Sequence, residues 1–137
     1  MSEKKTELNL PSRLESVEKA ATAAENFGKQ CGFAADILHS VDMAVREAVA
    51  NAVKHGNLLD ETKRVDITLE STRAGFEVIV RDFGKGFAVE EIPDPTKPEN
   101  LLKANGRGIL FMRSFMDEVE WSNHAEGGMI VKMLKKR

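Results

Sequence analysis

Apolar positions along this chain recur first at helical spacing and then in strict alternation. A short strand is expected from Thr6 to Leu10, closed by Pro11. Ser12 and Glu15 have the spacing of a capping box, in which hydroxyl and carboxylate satisfy backbone N–H groups at a helix start. Leu14, Val17, Ala21 and Ala24 follow on one helical face, and that helix should stop between Gly28 and Gly32. A second helix is expected from about Ala34 to His55. Ile37, Leu38, Val41, Val45, Ala48, Val49 and Ala52 form its buried stripe. Gly56 suits a left-handed C-terminal stop, a conformation that glycine adopts without steric cost.

The period then changes to two. Val65, Ile67 and Leu69 alternate with polar residues, as do Phe76, Val78 and Val80 after Ser71 to Gly75, which predicts a hairpin. Residues 88–105 contain Pro93, Pro95 and Pro98 with few large apolar side chains, and are expected to be a long mobile loop, a kind that is usually functional or disordered. A helix from Ile109 to Phe115 should follow, with its Phe and Met side chains in the core. A last hairpin, Glu118 to Ser122 and Met129 to Leu134, turns around Ala125 to Gly128. The fold class expected is α+β: a two-layer α/β sandwich whose antiparallel-rich mixed sheet carries helices on one face.

Composition narrows the setting. The 137 residues fit one domain, 1–137, long enough to bury a core without covalent staples. A net charge of −2 gives no reason to expect nucleic acid or an anionic membrane as partner. Cys31 is the single cysteine, so no intrachain disulfide forms and a reducing compartment fits. The first residues lack an apolar signal core, and no apolar run nears the ~18 residues of a membrane span. A cytoplasmic protein is expected.

Three short motifs carry chemistry. In the first, Glu47-Ala-Val-Ala-Asn51-Ala-Val-Lys-His55-Gly56, Glu47 and Asn51 lie one helical turn apart and point the same way. Magnesium takes oxygen ligands and keeps several waters while touching substrate phosphates, and an asparagine oxygen adds no charge beside a triphosphate. A nearby carboxylate can accept a proton from an attacking hydroxyl. The plain alternative is two solvated helix residues, with His55 only complementing the helix C-terminus. The second motif, Asp82-Phe-Gly84-Lys-Gly86, ends an apolar strand. A buried Asp82 there could accept a hydrogen bond from an adenine amino group, with Gly84 and Gly86 letting backbone approach the base. Its alternative is an ordinary strand-ending turn. The kinase Asp-Phe-Gly triplet is excluded, because the chain lacks the His-Arg-Asp loop and Val-Ala-Ile-Lys strand. The third motif, Gly106-Arg107-Gly108, precedes a helix, whose free N–H groups bind phosphate well. Neither a Rossmann fingerprint nor a P-loop is present.

In this order the motifs resemble the GHKL ATPase superfamily. Within it they are similar to the small bacterial anti-sigma factor serine kinases of the RsbW and SpoIIAB type. Glu47 to Gly56 matches the family's N box, Asp82 to Gly86 its first glycine box and Gly106 to Gly108 its second. Thr96 to Glu99 and Phe115 to Asp117 also look like the kinases' lid and following segment. The resemblance implies the Bergerat-type fold, with ATP or ADP and Mg2+ as cofactors. Glu47 would be the general base, Asn51 the magnesium ligand and Asp82 the adenine reader. Gly86 would sit beside the base, and Gly106 and Gly108 would support lid and phosphates. His55, Gly84, Lys103 and Arg107 complete the expected nucleotide-binding set. Some relatives carry a basic residue where this chain has Ala104, flanked by Lys103 and Arg107.

The activity implied is transfer of the γ-phosphoryl group to a serine or threonine of a STAS-domain anti-anti-sigma protein, coupled to sequestration of a sigma factor. A homodimer, a bacterial cytoplasmic setting, and no direct contact with nucleic acid or membrane belong to the same expectation. Two rivals stay open: a non-catalytic ATP/ADP-controlled binding module, and a GHKL fragment that hydrolyses ATP or acts on histidine.

Overall fold

The computed structural model describes residues 2–84 and 112–137. Strand β1 (Ser2–Pro11) leads into helices α1 (Glu15–Gln30) and α2 (Ala35–Asn51). A π-helical turn, π1 (Ala52–Gly56), extends α2; strands β2 (Arg64–Thr72) and β3 (Gly75–Arg81) follow. A helical turn at 112–115 then precedes the hairpin of β4 (Glu118–Asn123) and β5 (Met129–Lys136). The strands form one five-stranded sheet in the order β1-β2-β3-β5-β4. Each pairing is antiparallel, so among the described residues the sheet is not mixed.

Register explains the single covered face. Ile67 lies opposite Val80, Leu69 opposite Val78, Val78 opposite Met133, and Val80 opposite Val131. All six side chains are buried on the same side because strand residues two apart share a face. Leu8 and Leu10 on β1 and Val119 and Trp121 on β4 extend that apolar face to both edges. Helix α1 lies over β1 and β2, and α2 over β3 and β5. Val41, Val45 and Val49 are the buried stripe that α2 sets against the sheet. Phe76 closes the far end of the core, edge-on to Phe27 at 5.6 Å and stacked on Phe33 at 5.0 Å. Met112 and Met116 enter the core as their spacing predicts, while Phe115 is half-buried.

Several local expectations are corrected. Strand β1 starts at Ser2 rather than Thr6, because backbone pairing with β2 continues past the apolar residues, across an irregularity between Ser2 and Lys4. The capping box does not form. Leu14 is the N-cap, already helical at φ −62° and ψ −30°, and no side chain caps the helix. The Ser12 hydroxyl accepts instead from Asn57 Nδ2, at 3.0 Å. Leu14 is consequently 50% exposed and not part of the buried face. Gly56 is not left-handed either. The π turn carries the chain past it, and Leu58 (φ 53°) and Leu59 (φ 61°) take the left-handed conformation. Bulky side chains adopt that region at a cost, and here Leu59 N–H donates to the Val53 carbonyl at 2.8 Å.

Candidate nucleotide site

Helix α2 presents Glu47 and Asn51 one turn apart, both half-buried. Among the described residues neither side chain is held by a hydrogen bond or an ion pair. Arg46, beside Glu47, ties α2 to α1. Its Nη1 donates to Glu18 Oε2 at 2.6 Å and its Nε to Asp42 Oδ2 at 3.1 Å. The bond from Arg46 and its positive charge hold the Glu18 carboxyl below the usual carboxylate range. His55 follows in the π turn, and its side chain is exposed.

Asp82 follows the last residue of β3 and is 6% exposed. Its Oδ1 accepts two backbone N–H bonds, from Gly84 at 3.0 Å and from Met129 at 3.1 Å. Its own N–H donates to the Met129 carbonyl at 3.0 Å, so the start of β5 grips both ends of the residue. Burial raises the carboxyl above its ordinary value, while these two N–H donors pull it back. The other oxygen, Oδ2, faces the Cα of Gly56.

The two motifs meet at glycines. A Cβ on Gly56 would overlap the Asp82 carboxylate, and a Cβ on Gly84 would overlap the Gly56 carbonyl. Close approach, rather than backbone conformation, is therefore what Gly56 supplies. Within α2 a rise of 1.5 Å per residue sets Glu47 about 6 Å behind Asn51, and the π turn separates Asn51 from this contact. The geometry thus joins a buried carboxylate suited to a base amino group to a helix face bearing an amide and a carboxylate. Such spacing suits a nucleotide lying along the helix, its base at Asp82 and its phosphates toward Asn51 and Glu47. One amide oxygen without a hydrogen-bond partner among the described residues suits a magnesium ion that draws its other ligands from phosphate and water.

Phe83, next to Asp82, packs against two guanidinium groups, Arg64 Cζ at 4.4 Å and Arg81 Cζ at 4.1 Å from the ring centre. Arg81 Nη2 also donates to the Gly127 carbonyl at 3.3 Å. Gly86, Lys103, Ala104, Gly106, Arg107 and Gly108 lie outside the described residues, as do the loop expected at 88–105 and residues 109–111 of the expected helix.

Three contributors were missed by sequence reasoning. Asn57 donates from Nδ2 to Ser12 Oγ and accepts the Phe83 N–H at Oδ1. Met129 reaches Asp82 through its backbone alone, and Gly128, at φ 90°, packs against the Asp82 carbonyl. An asparagine after a helix-ending glycine reads as a turn residue, and a hairpin glycine as a tight turn. Only the double glycine at Gly127 and Gly128 hinted at a close backbone approach.

A helix-covered antiparallel sheet with this pairing of N-box helix and Asp-x-Gly turn defines a GHKL-type nucleotide-binding domain. Residues 10–135 match the histidine kinase-like ATPase domain, and the chain belongs to that family. Among its relatives, the anti-sigma F factor of Heyndrickxia coagulans is 37% identical over 129 residues, covering 90% of this chain and 85% of that protein. The serine-protein kinase RsbW of Bacillus subtilis is 29% identical over 135 residues, covering 94% of this chain and 83% of that protein. A crystal structure of the RsbU and RsbW domains of Rv1364c from Mycobacterium tuberculosis shares the fold, with a TM-score of 0.66 at 16% identity. That match covers 97% of this chain and 32% of the longer one. No helix among the described residues is long and apolar enough to cross a membrane.

Proposed function

We propose that this protein is an ATP-dependent serine/threonine protein kinase and anti-sigma regulatory factor. It would phosphorylate a STAS-domain anti-anti-sigma protein and sequester a sigma factor. One observation carries the nucleotide reading: Asp82, held at Oδ1 by two backbone donors, turns Oδ2 toward the end of the helix that bears Glu47 and Asn51. The names of the relatives, a serine-protein kinase and an anti-sigma F factor, support the choice of reaction and partners.

In this mechanism Asp82 accepts a hydrogen bond from the adenine amino group and fixes the base. Asn51 would supply one oxygen to magnesium, and the ion would neutralise charge on the phosphate oxygens. Glu47 takes the proton of the attacking serine or threonine hydroxyl. The hydroxyl oxygen bonds to the γ-phosphorus as the bond from that phosphorus to the β–γ bridging oxygen breaks, leaving ADP. Lys103 and Arg107 are the side chains proposed to meet the phosphates. A homodimer is part of the proposal, checked by sedimentation at several concentrations.

The test is transfer of labelled phosphate from ATP to a cognate STAS protein, with ADP binding measured in parallel. Glu47→Gln keeps shape and hydrogen bonding but cannot take the proton, so it should retain nucleotide binding and lose ~10²–10⁴-fold in transfer. Asn51→Ala should instead weaken magnesium-dependent nucleotide binding. Transfer by Glu47→Gln at the wild-type rate would refute the assignment of the base. A wild type that binds ATP and transfers nothing would favour a nucleotide-controlled binding module.

A further inference from the structure

We propose that Asn57 is a positioning residue for nucleotide recognition, setting the gap between the π turn and the Asp82 loop. The proposal rests on the nucleotide reading above. Asn57 is completely buried. A buried amide is tolerated only if its donors and acceptor are matched, and here each has a partner. Nδ2 donates to Ser12 Oγ and to the Arg64 carbonyl, both at 3.0 Å. Oδ1 accepts the N–H of Phe83 at 2.8 Å. The backbone N–H donates to the Ala52 carbonyl at 2.8 Å, and the Asn57 carbonyl accepts from Asp60 N–H at 3.0 Å.

These partners belong to different segments: the β1–α1 junction, the start of β2, the loop after β3 and the π turn itself. Two of the bonds bear on the site. Phe83 is the residue after Asp82, so the Oδ1 bond holds the peptide that carries the adenine-reading carboxylate. Ala52 is the residue after Asn51, so the N–H bond closes the turn that ends the Asn51 helix. Gly56 and Gly84 permit the two motifs to touch, but they exert no pull. The Asn57 side chain supplies the directed contact that holds them together. No other natural side chain of this size offers two donors and one acceptor without charge. Aspartate would set an oxygen against the Arg64 carbonyl, and leucine would leave the Phe83 N–H without this acceptor.

The experiment compares calorimetric titrations of ADP and of inosine diphosphate, both with magnesium, on the full chain. Inosine replaces the adenine amino group with a carbonyl, so the affinity ratio of the two reports the alignment of Asp82. Asn57→Ala should lower ADP affinity at least tenfold and bring the ratio toward one. A merely structural role would lower the melting temperature and leave the ratio at its wild-type value, because unfolded molecules reduce both apparent affinities equally. That result would overturn the proposal. Ser12→Ala, which removes one of the three side-chain bonds, should shift the ratio less but in the same direction. If Asn57→Ala does not fold, an unchanged ratio in Ser12→Ala overturns the proposal by itself. Asp82→Asn separates the two levels. Lost adenine preference in Asp82→Asn with preference kept in Asn57→Ala refutes the role of Asn57 alone. A wild type that does not discriminate between the nucleotides refutes both.

Discussion

If Asp82 reads adenine as proposed, replacing it with asparagine should give a weak hypoxanthine reader while leaving the fold intact. The direction follows from Oδ1. That atom already accepts the N–H groups of Gly84 and Met129, and an asparagine must keep an oxygen there or lose both bonds. Its NH2 is then forced into the place of Oδ2, beside Gly56. A donor now faces the 6-position of the base, where adenine presents a donor and hypoxanthine an acceptor. Loss of the charge-assisted hydrogen bond is worth ~1.5–3 kcal/mol, roughly 10- to 150-fold in ADP affinity. Affinity for inosine diphosphate should rise or hold, which reverses the preference.

Stability should move the other way. Burial raises the Asp82 carboxyl above its ordinary range, so the folded state binds that proton more tightly than the unfolded chain does. The stabilisation is present below the ordinary carboxylate range and is lost as pH rises through the raised folded value. At pH 7 the charged group therefore costs stability that asparagine does not. Asp82→Asn should melt at the same temperature as wild type or higher at pH 7, with a flatter acid dependence. Calorimetry with both nucleotides and thermal melting across pH check these expectations together. Unchanged ADP affinity would remove Asp82 from the site, and a large fall in melting temperature would show that its charge stabilises the fold.

Other positions test the same geometry. Gly56→Ala should gain about 1 kcal/mol of helix propensity and lose about 1–3 kcal/mol to overlap with the Asp82 carboxylate, for a small net destabilisation. Its ADP affinity should fall more than tenfold, and a more stable variant with normal affinity would refute the contact. Gly128→Ala combines an unfavourable φ of 90° with overlap on the Asp82 carbonyl. Urea unfolding should show a loss of ~2–4 kcal/mol, and a loss below ~1 kcal/mol would refute the close approach.

Much of the architecture was legible because local patterns and tertiary burial agree. The alternation in Val65 to Leu69 and Phe76 to Val80 gave the central hairpin, and the apolar stripe from Ile37 to Ala52 gave the helix that covers the sheet. Glu47, Asn51 and Asp82 stood out because their spacing and positions beside elements had a chemical use. Where local signals had several physical explanations, the sequence was ambiguous. Ser12 and Glu15 look like a capping box, yet Ser12 is the acceptor for an amide that lies 45 residues further along. Gly56 suggests a left-handed stop, but its missing side chain makes room for the Asp82 carboxylate just after β3. The helical period continues to His55 in the sequence, yet the last turn is a π turn closed by the N–H of Asn57. Hydrophobic period is a property of neighbours in the chain, so sequence alone determined the elements and the faces they bury. Hydrogen-bond partners and sub-ångström clearances depend on segments distant in the chain. Only the tertiary structure could decide that Asn57, Gly128 and the backbone of Met129 hold Asp82 in place.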